Sequence, residues 1–139
     1  DYAHNPAAYK AMAEMARALL PGQLVGIVTA PGDRRDEDLL EVGRVCGERF
    51  DELVVYESQS RGREVGEAVN LILEGAEEAA GISDTLHRVI EVGEAIRHGL
   101  SLCRPGDVLV FACGSSLQVF VDALRVNDPE SADLVAGQV

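Results

Sequence analysis

The sequence predicts an α/β fold: a Rossmann-like three-layer domain with a mostly parallel sheet flanked by helices. Three observations lead there. Segments with apolar residues at helical spacing alternate with short, continuous apolar runs. Two of those runs, Leu24-Val25-Gly26-Ile27-Val28 and Val108-Leu109-Val110-Phe111, are bounded by turn residues and lack polar alternation, as strands covered on both faces do. Helices between successive strands impose parallel pairing through right-handed crossovers.

In chain order, Asn5 is a favoured N-cap and Pro6 suits the first helical position, so a first helix is expected over 6–20, stopped by Pro21-Gly22. Ala8, Met12, Met15, Ala16 and Leu19 share one of its faces, and Lys10, Glu14 and Arg17 another. A strand at 24–28 leads to a helix over 36–50 that buries Leu39, Val42, Cys46 and Phe50, and its acidic first turn suits the positive end of the helix dipole. Leu53-Val54-Val55-Tyr56 reads as the next strand. The following helix, over 64–80, turns Val65, Ala68, Ile72 and Ala76 inward. A weaker strand at 88–92 precedes a helix over 94–103 that packs through Ile96, Leu100 and Cys103 and ends at Pro105-Gly106, before the strand at 108–111. Leu117, Phe120, Val121 and Leu124 mark a short last helix. The domain so defined is 1–125, and 126–139 reads as a loose polar tail.

The 139 residues make one ordinary domain with room for a core; no repeat, low-complexity segment or linker divides them. A net charge of −12 argues against a nucleic-acid backbone or an anionic membrane surface as partner. No apolar run approaches the roughly 20 residues that span a bilayer, and no basic segment precedes an apolar one as in an export signal. Cys46, Cys103 and Cys113 form no CxxC pair and read as small core residues, which fits a reducing, cytoplasmic location.

In such sheets ligands meet the loops beyond the carboxyl ends of the strands. Here those are 29–38, 57–63 and 113–116, and Asp1-Tyr2-Ala3-His4-Asn5 is expected to join them, with Asp1, His4 and Asn5 at the anion-attracting mouth of the first helix. In the loop Gly32-Asp33-Arg34-Arg35-Asp36-Glu37-Asp38 the acids either cap the following helix and pair with the arginines, or the loop, through Asp33 and Arg34, contacts nucleotide or substrate. Ser60-Arg61-Gly62-Arg63 is either a turn with two solvated arginines or a paired guanidinium that grips a carboxylate. The reverse arrangement, a carboxylate facing a guanidinium, suits an arginine substrate; Glu57, Asp33, Glu64 and Glu67 are the candidates.

Other chemistry finds little support. There is no G-x-x-x-x-G-K-[ST] and no GxGxxG after a strand. His4, His87 and His98 lack metal-ligand spacing, so no metal site is assigned, and His87 and His98 are expected to face solvent. Ser115 or Ser116 reads as a helix N-cap rather than a nucleophile.

Asp1-Tyr2-Ala3-His4-Asn5-Pro6, a buried strand and then Ala30-Pro31-Gly32-Asp33-Arg34-Arg35-Asp36-Glu37-Asp38 together resemble the C-terminal domain of the Mur ligase family. With Ser60-Arg61-Gly62-Arg63 and Gly66-Glu67 added, the chain resembles most the Mur-like half of the cyanophycin synthetases, from residue 1 to about Phe111. Such ligases activate a carboxylate with ATP and Mg2+ as an acyl phosphate on a central domain, and an amino acid's amine then attacks to form an amide. The resemblance implies a C-terminal lid, inactive alone, with ATP and an amino acid as ligands and the rest of a longer ligase chain as partner. It assigns the ribose and phosphate side of ATP to Asp1 and His4, with His4 catalytic, and the amino acid's α-carboxylate to Arg61 and Arg63. Arginine or a similar amino acid is the expected substrate. The family's motif follows a strand, so a chain beginning at the motif is expected to be an excised portion of a longer protein. The alternative is a non-catalytic module of the same fold that binds a small ligand or a protein at the same loop edge.

Overall fold

The computed structural model describes residues 5–112 and 117–137. Four parallel strands, β1 (Leu24–Val28), β2 (Glu52–Val55), β3 (Leu86–Arg88) and β4 (Val108–Phe111), form one sheet in the order β3-β2-β1-β4. Gly26 of β1 lies opposite Leu53 of β2 on one side and Val110 of β4 on the other. On one face pack α1 (Pro6–Arg17), α2 (Asp36–Arg49) and α3 (Glu67–Ala80), around Tyr9, Leu24, Val28, Leu39, Leu53, Val55 and Ile72. On the other face α4 (Val92–Leu102) covers Ile27, Val54 and Tyr56. Two further helices, α5 (Leu117–Asn127) and α6 (Pro129–Ala136), continue from β4. The three-layer parallel architecture is the one expected.

Glycine sets the closeness of one helix pair. A Cβ at Gly43 of α2 would lie 1.9 Å from the Ile72 carbonyl oxygen, and one at Gly75 of α3 would lie 2.0 Å from that of Leu40. Backbone therefore meets backbone across α2 and α3, and any side chain there would push the helices apart.

Four elements depart from expectation. α1 buries Tyr9, Ala13 and Ala16, while Met15 and Leu19 are 68% and 69% exposed. The inward stripe is set by the Tyr9 ring and two alanines small enough to let the helix approach the sheet, with Ala8 and Met12 packed at its margin as expected; Met15 and Leu19 instead border an open groove beside Val108, Leu109 and Val110. α3 starts at Glu67 because Gly66 takes a left-handed conformation (φ 86°), which leaves Val65 outside the helix and 75% exposed. β3 pairs through Leu86, His87 and Arg88 rather than lying at 88–92, because the Glu91 carboxylate accepts from the Gly93 and Glu94 amides and so starts α4 two residues early. The segment read as a loose tail carries α6. Asp128 caps it by accepting from the Ser131 amide at 3.1 Å, Pro129 takes its first position, and Ala132 is buried.

Candidate functional site

Strand order reverses between β1 and β4, so the crevice at their carboxyl ends is the switch point where ligands of open α/β sheets bind. Two buried tyrosines shape it. The Tyr9 hydroxyl donates to the Thr29 carbonyl (2.5 Å) and accepts from the Thr29 amide (3.1 Å), which ties α1 to the end of β1. Tyr56, at the end of β2, donates to the Ala112 carbonyl at the end of β4 (2.6 Å). Burial holds the Tyr9 phenol well above its ordinary pKa, so it stays a donor at any physiological pH. Between these struts the Thr29 hydroxyl is buried without a hydrogen-bond partner among the described residues. Asn5 caps α1 by accepting from the Ala8 amide at 2.9 Å. Asp1, His4 and Cys113-Gly114-Ser115-Ser116 lie outside the described residues.

The loops after β1 and β2 are clasped together. The Gly32 amide donates to the Gln59 carbonyl (2.9 Å), and a Cβ at Gly32 would lie 1.9 Å from the Ser60 carbonyl oxygen. Only glycine permits that approach. Arg61, at φ 46°, donates to Asp33 (3.0 Å) and to the Gln59 side chain (2.7 Å), and this pairing holds the Asp33 carboxyl below its usual range. Arg63, the least exposed of these arginines, spends its guanidinium on the protein. Nε donates to the Gly32 carbonyl (2.7 Å), Nη1 to Glu67 (2.9 Å), and Nη2 to both the Arg34 carbonyl (2.8 Å) and Asp36 (2.6 Å). Glu57 accepts from the Gly66 amide (3.0 Å) and so pins the start of α3. Arg35 pairs with Asp38 and Glu37.

Arg34 stands apart from the other arginines of the two loops. It is exposed, and its guanidinium makes no hydrogen bond or ion pair with any described residue. The structure thus brings Asp33, Arg34, Glu57, Arg61 and Arg63 to one edge and divides them into an intramolecular clasp and one free cation. Sequence reading missed Tyr9 and Tyr56, which sit in apolar stretches and look like core. It also missed the demand on Gly32, whose only signal was its place between Pro31 and Asp33.

The histidines correct another expectation. His87 contacts Glu52 at 2.7 Å and His98 contacts His87 at 2.9 Å, all three partly buried at or near the opposite end of the sheet. The position of His87 in a short edge strand gave no sign of a partner 35 residues earlier. Among the described residues no group of three or more His, Cys, Asp or Glu is arranged to hold a metal ion.

Comparison with known proteins joins the geometry here. A family model described as "Mur ligase, glutamate ligase domain" matches residues 1–115. The chain belongs to the Mur ligase family. It is 40% identical over 111 residues to a cyanophycin synthetase of Crocosphaera subtropica, covering 79% of this chain and 12% of that protein. A cyanophycin synthetase of Nostoc is 37% identical over 91% of this chain and 14% of its own length. The UDP-N-acetylmuramoyl-L-alanyl-D-glutamate--2,6-diaminopimelate ligase of Corynebacterium glutamicum is 31% identical over 81% of the chain and 22% of its own length. A solved structure of a ligase of that same name superposes with a TM-score of 0.75 over 91% of this chain and 28% of its own, at 16% identity, so it bears on the fold. The chain is a Mur ligase C-terminal domain that spans about an eighth of the cyanophycin synthetases it matches. No helix among the described residues is long and apolar enough to cross a membrane.

Proposed function

We propose that this Mur ligase domain works as the lid of a cytoplasmic ATP-dependent acid–amino-acid ligase of the cyanophycin synthetase type, within a longer chain. The observation that carries the reading is the Arg34 guanidinium, unpaired among the described residues and exposed on the loop after β1, which is clasped to the loop after β2 at the carboxyl edge of the sheet. A free cation there suits the phosphates of ATP. Helix α1, capped by Asn5 and tied to the end of β1 by Tyr9, adds the positive end of its dipole as a feature that suits an anion. In this reading Asp1 and His4 precede that turn and meet the ribose and phosphate side, and Asp33 orients the loop through Arg61. Bound ATP with Mg2+ supplies the phosphoryl group that activates the carboxylate on the central domain.

The amino acid is assigned to the neighbouring loop. Arg61 sits in a left-handed backbone conformation that a non-glycine residue adopts at a cost, and such positions cluster at binding sites. Its guanidinium is about half exposed and, among the described residues, bonds to Asp33 and Gln59, so a substrate α-carboxylate can compete for it. Glu57, which gives one oxygen to the Gly66 amide, is the carboxylate assigned here to a cationic side chain such as that of arginine. Arg63, expected beside Arg61 as a substrate contact, has four of its donors engaged by the loops and is left a supporting part. Closing such a lid over an acyl phosphate excludes water and brings amine and cation to the reacting centre together.

The test is amide formation by the complete ligase carrying His4→Ala. Loss of one charge-stabilising group costs roughly 10²–10³ in rate, and a fall of one to two orders of magnitude is expected. Unchanged turnover would remove His4 from the mechanism.

A further inference from the structure

We infer that Glu52, His87 and His98 form a proton-operated latch that fastens α4 to the edge of the sheet: it holds with one proton shared between the two imidazoles and opens when a second arrives. The three side chains come from β2, β3 and α4 and stand in line. The Glu52 carboxylate lies 2.7 Å from Nε2 of His87, and Nδ1 of that ring lies 2.9 Å from Nε2 of His98. Since α4 covers Ile27, Val54 and Tyr56, the latch sits where the cover of this face meets the edge strand.

A carboxylate only accepts, so Nε2 of His87 carries a hydrogen toward Glu52. Neutral His87 then offers a lone pair at Nδ1, and Nε2 of His98 donates to it. The line has room for one more proton. Placed on Nδ1 of His98, or on His87 with the bridging hydrogen moved across, it leaves a single N–H between the rings. A second proton does not fit. Two N–H groups would meet across 2.9 Å and two cations would stand on adjacent rings, so the contact has to part.

The other charged groups around the line are engaged elsewhere. β1 and β4, which also pack on α4, carry no charged residue, and Glu52 is the one charge of β2. Arg88 of β3 donates to Asn70 of α3. On α4 itself Glu91 and Glu94 sit at the start of the helix, and Arg97 lines a groove with Asp122 of α5, whose Arg125 pairs with Asp133. Arg104 and Asp107 share a crevice with Glu52, and Asp107 accepts from the Arg104 amide. Burial first and His87 second oppose a charge on His98, with Glu52 pulling the other way.

Linkage makes the proton count readable: opening that takes up one proton becomes about tenfold more favourable per pH unit lost, and opening that takes up two about a hundredfold. An open helix leaves both imidazoles to charge below their ordinary value of about 6.5, so a closed pair that already holds one proton gains a single one on opening. The experiment is hydrogen–deuterium exchange of the complete ligase across this range. It is read by mass spectrometry on peptides over 92–102, with rates corrected for the intrinsic effect of pH and peptides over α2 and α3 as reference. Below about pH 6 the protection of α4 should fall about tenfold per pH unit while the reference helices stay level. His98→Gln, whose carboxamide can face His87 with either its N–H or its C=O, should abolish that slope. Glu52→Gln removes the charge that favours the shared proton and should steepen the slope toward about a hundredfold. The latch is overturned by a flat profile in the parent, by a slope that survives in His98→Gln, or by a hundredfold slope already present in the parent. A Glu52→Gln slope equal to the parent's would overturn the shared proton.

Discussion

At the carboxyl end of the sheet, Arg61 and Arg63 reach Asp33, Asp36 and Glu67, and the Arg34 guanidinium is left without a hydrogen bond or ion pair among the described residues. At the amino end the charged groups close on one another and on the backbone. Asp51 accepts from the Leu24 amide at 2.8 Å and pairs with Arg17 at 2.9 Å, Asp107 accepts from the Arg104 amide at 2.8 Å, and Glu52, His87 and His98 form a chain of contacts. Both ends use side chains to tie the starts and ends of strands. The difference lies in what remains. At the amino end Nε of Arg49 is buried with no hydrogen-bond partner among the described residues. At the carboxyl end the side chain left over, Arg34, is exposed on a loop that Arg61 and Arg63 clasp, where another molecule can reach its charge.

The sharpest break of this contrast is Gly32→Val. A side chain at this position would have to occupy space 1.9 Å from the Ser60 carbonyl oxygen, so the two loops must part and the fork of Arg63 must open. Amide formation by the complete ligase is expected to fall by about 10²-fold, the scale of losing one aligned electrostatic group. The fold should survive, because the affected contacts are between loops. Retained activity would mean that the clasp is not part of the site.

Tyr9→Phe probes the strut beneath. The change removes the hydroxyl that α1 offers to both the Thr29 amide and the Thr29 carbonyl, at a residue with no exposure. Buried groups left without partners cost about 1–3 kcal/mol, so urea denaturation should show a loss in that range with an unchanged slope. A loss below about 0.5 kcal/mol would show that water enters and replaces the hydroxyl.

These two residues also mark how far the sequence can be read. β1 and β4 fall at the expected residues: β1 is buried along its whole length, as a strand covered on both faces has to be continuously apolar, and β4, half-buried at the other edge of the sheet, keeps the same unbroken apolar run. The edge strand β3 is covered on fewer sides and carries His87 and Arg88, so its pattern is weak and its register was misread by a few residues. At the site, residue types and loops were legible, since Asp33, Arg34, Glu57, Arg61 and Arg63 do converge. Their division of labour was not. Whether a guanidinium is spent or free depends on distances between loops roughly 30 residues apart, and nothing in local spacing encodes them. The α1 face was misjudged for a related reason: Met15 and Leu19 are as apolar as core residues, and only the packing of Tyr9 and Ala13 shows which side meets the sheet.

A pH titration sharpens the other half of the comparison. Burial first, and His87 beside it second, hold the His98 pKa below its ordinary value near 6.5, while Glu52 pulls the other way. The unfolded chain therefore binds more protons than the folded one between the two values, and stability rises with pH across that window. It should be fully present above about pH 7 and decline as pH falls below 6.5 toward the folded value. His98→Gln should flatten this part of the stability profile. A slope unchanged by that substitution would assign it to other groups.

The smallest effect is expected from Asp33→Asn, and it separates the two loops' roles. The Asp33–Arg61 pair is about half exposed on each side, so solvent and salt screen it. The Asp33 carboxyl is held below its ordinary range by Arg61; its contribution is present above that range and fades only as pH drops through the lowered value. At neutral pH the thermal midpoint of the variant should match that of the parent, because Gln59 and the Arg63 fork still hold the loop. Binding is where a change is expected. Without Asp33 the Arg61 guanidinium has one competitor fewer for a substrate α-carboxylate, and the amino-acid KM of the complete ligase should fall by about two- to fivefold, the scale of one exposed ion pair. A rise in KM instead would mean that Asp33 itself contacts the cationic end of the amino acid, and would move the substrate-reading carboxylate from Glu57 to the loop after β1.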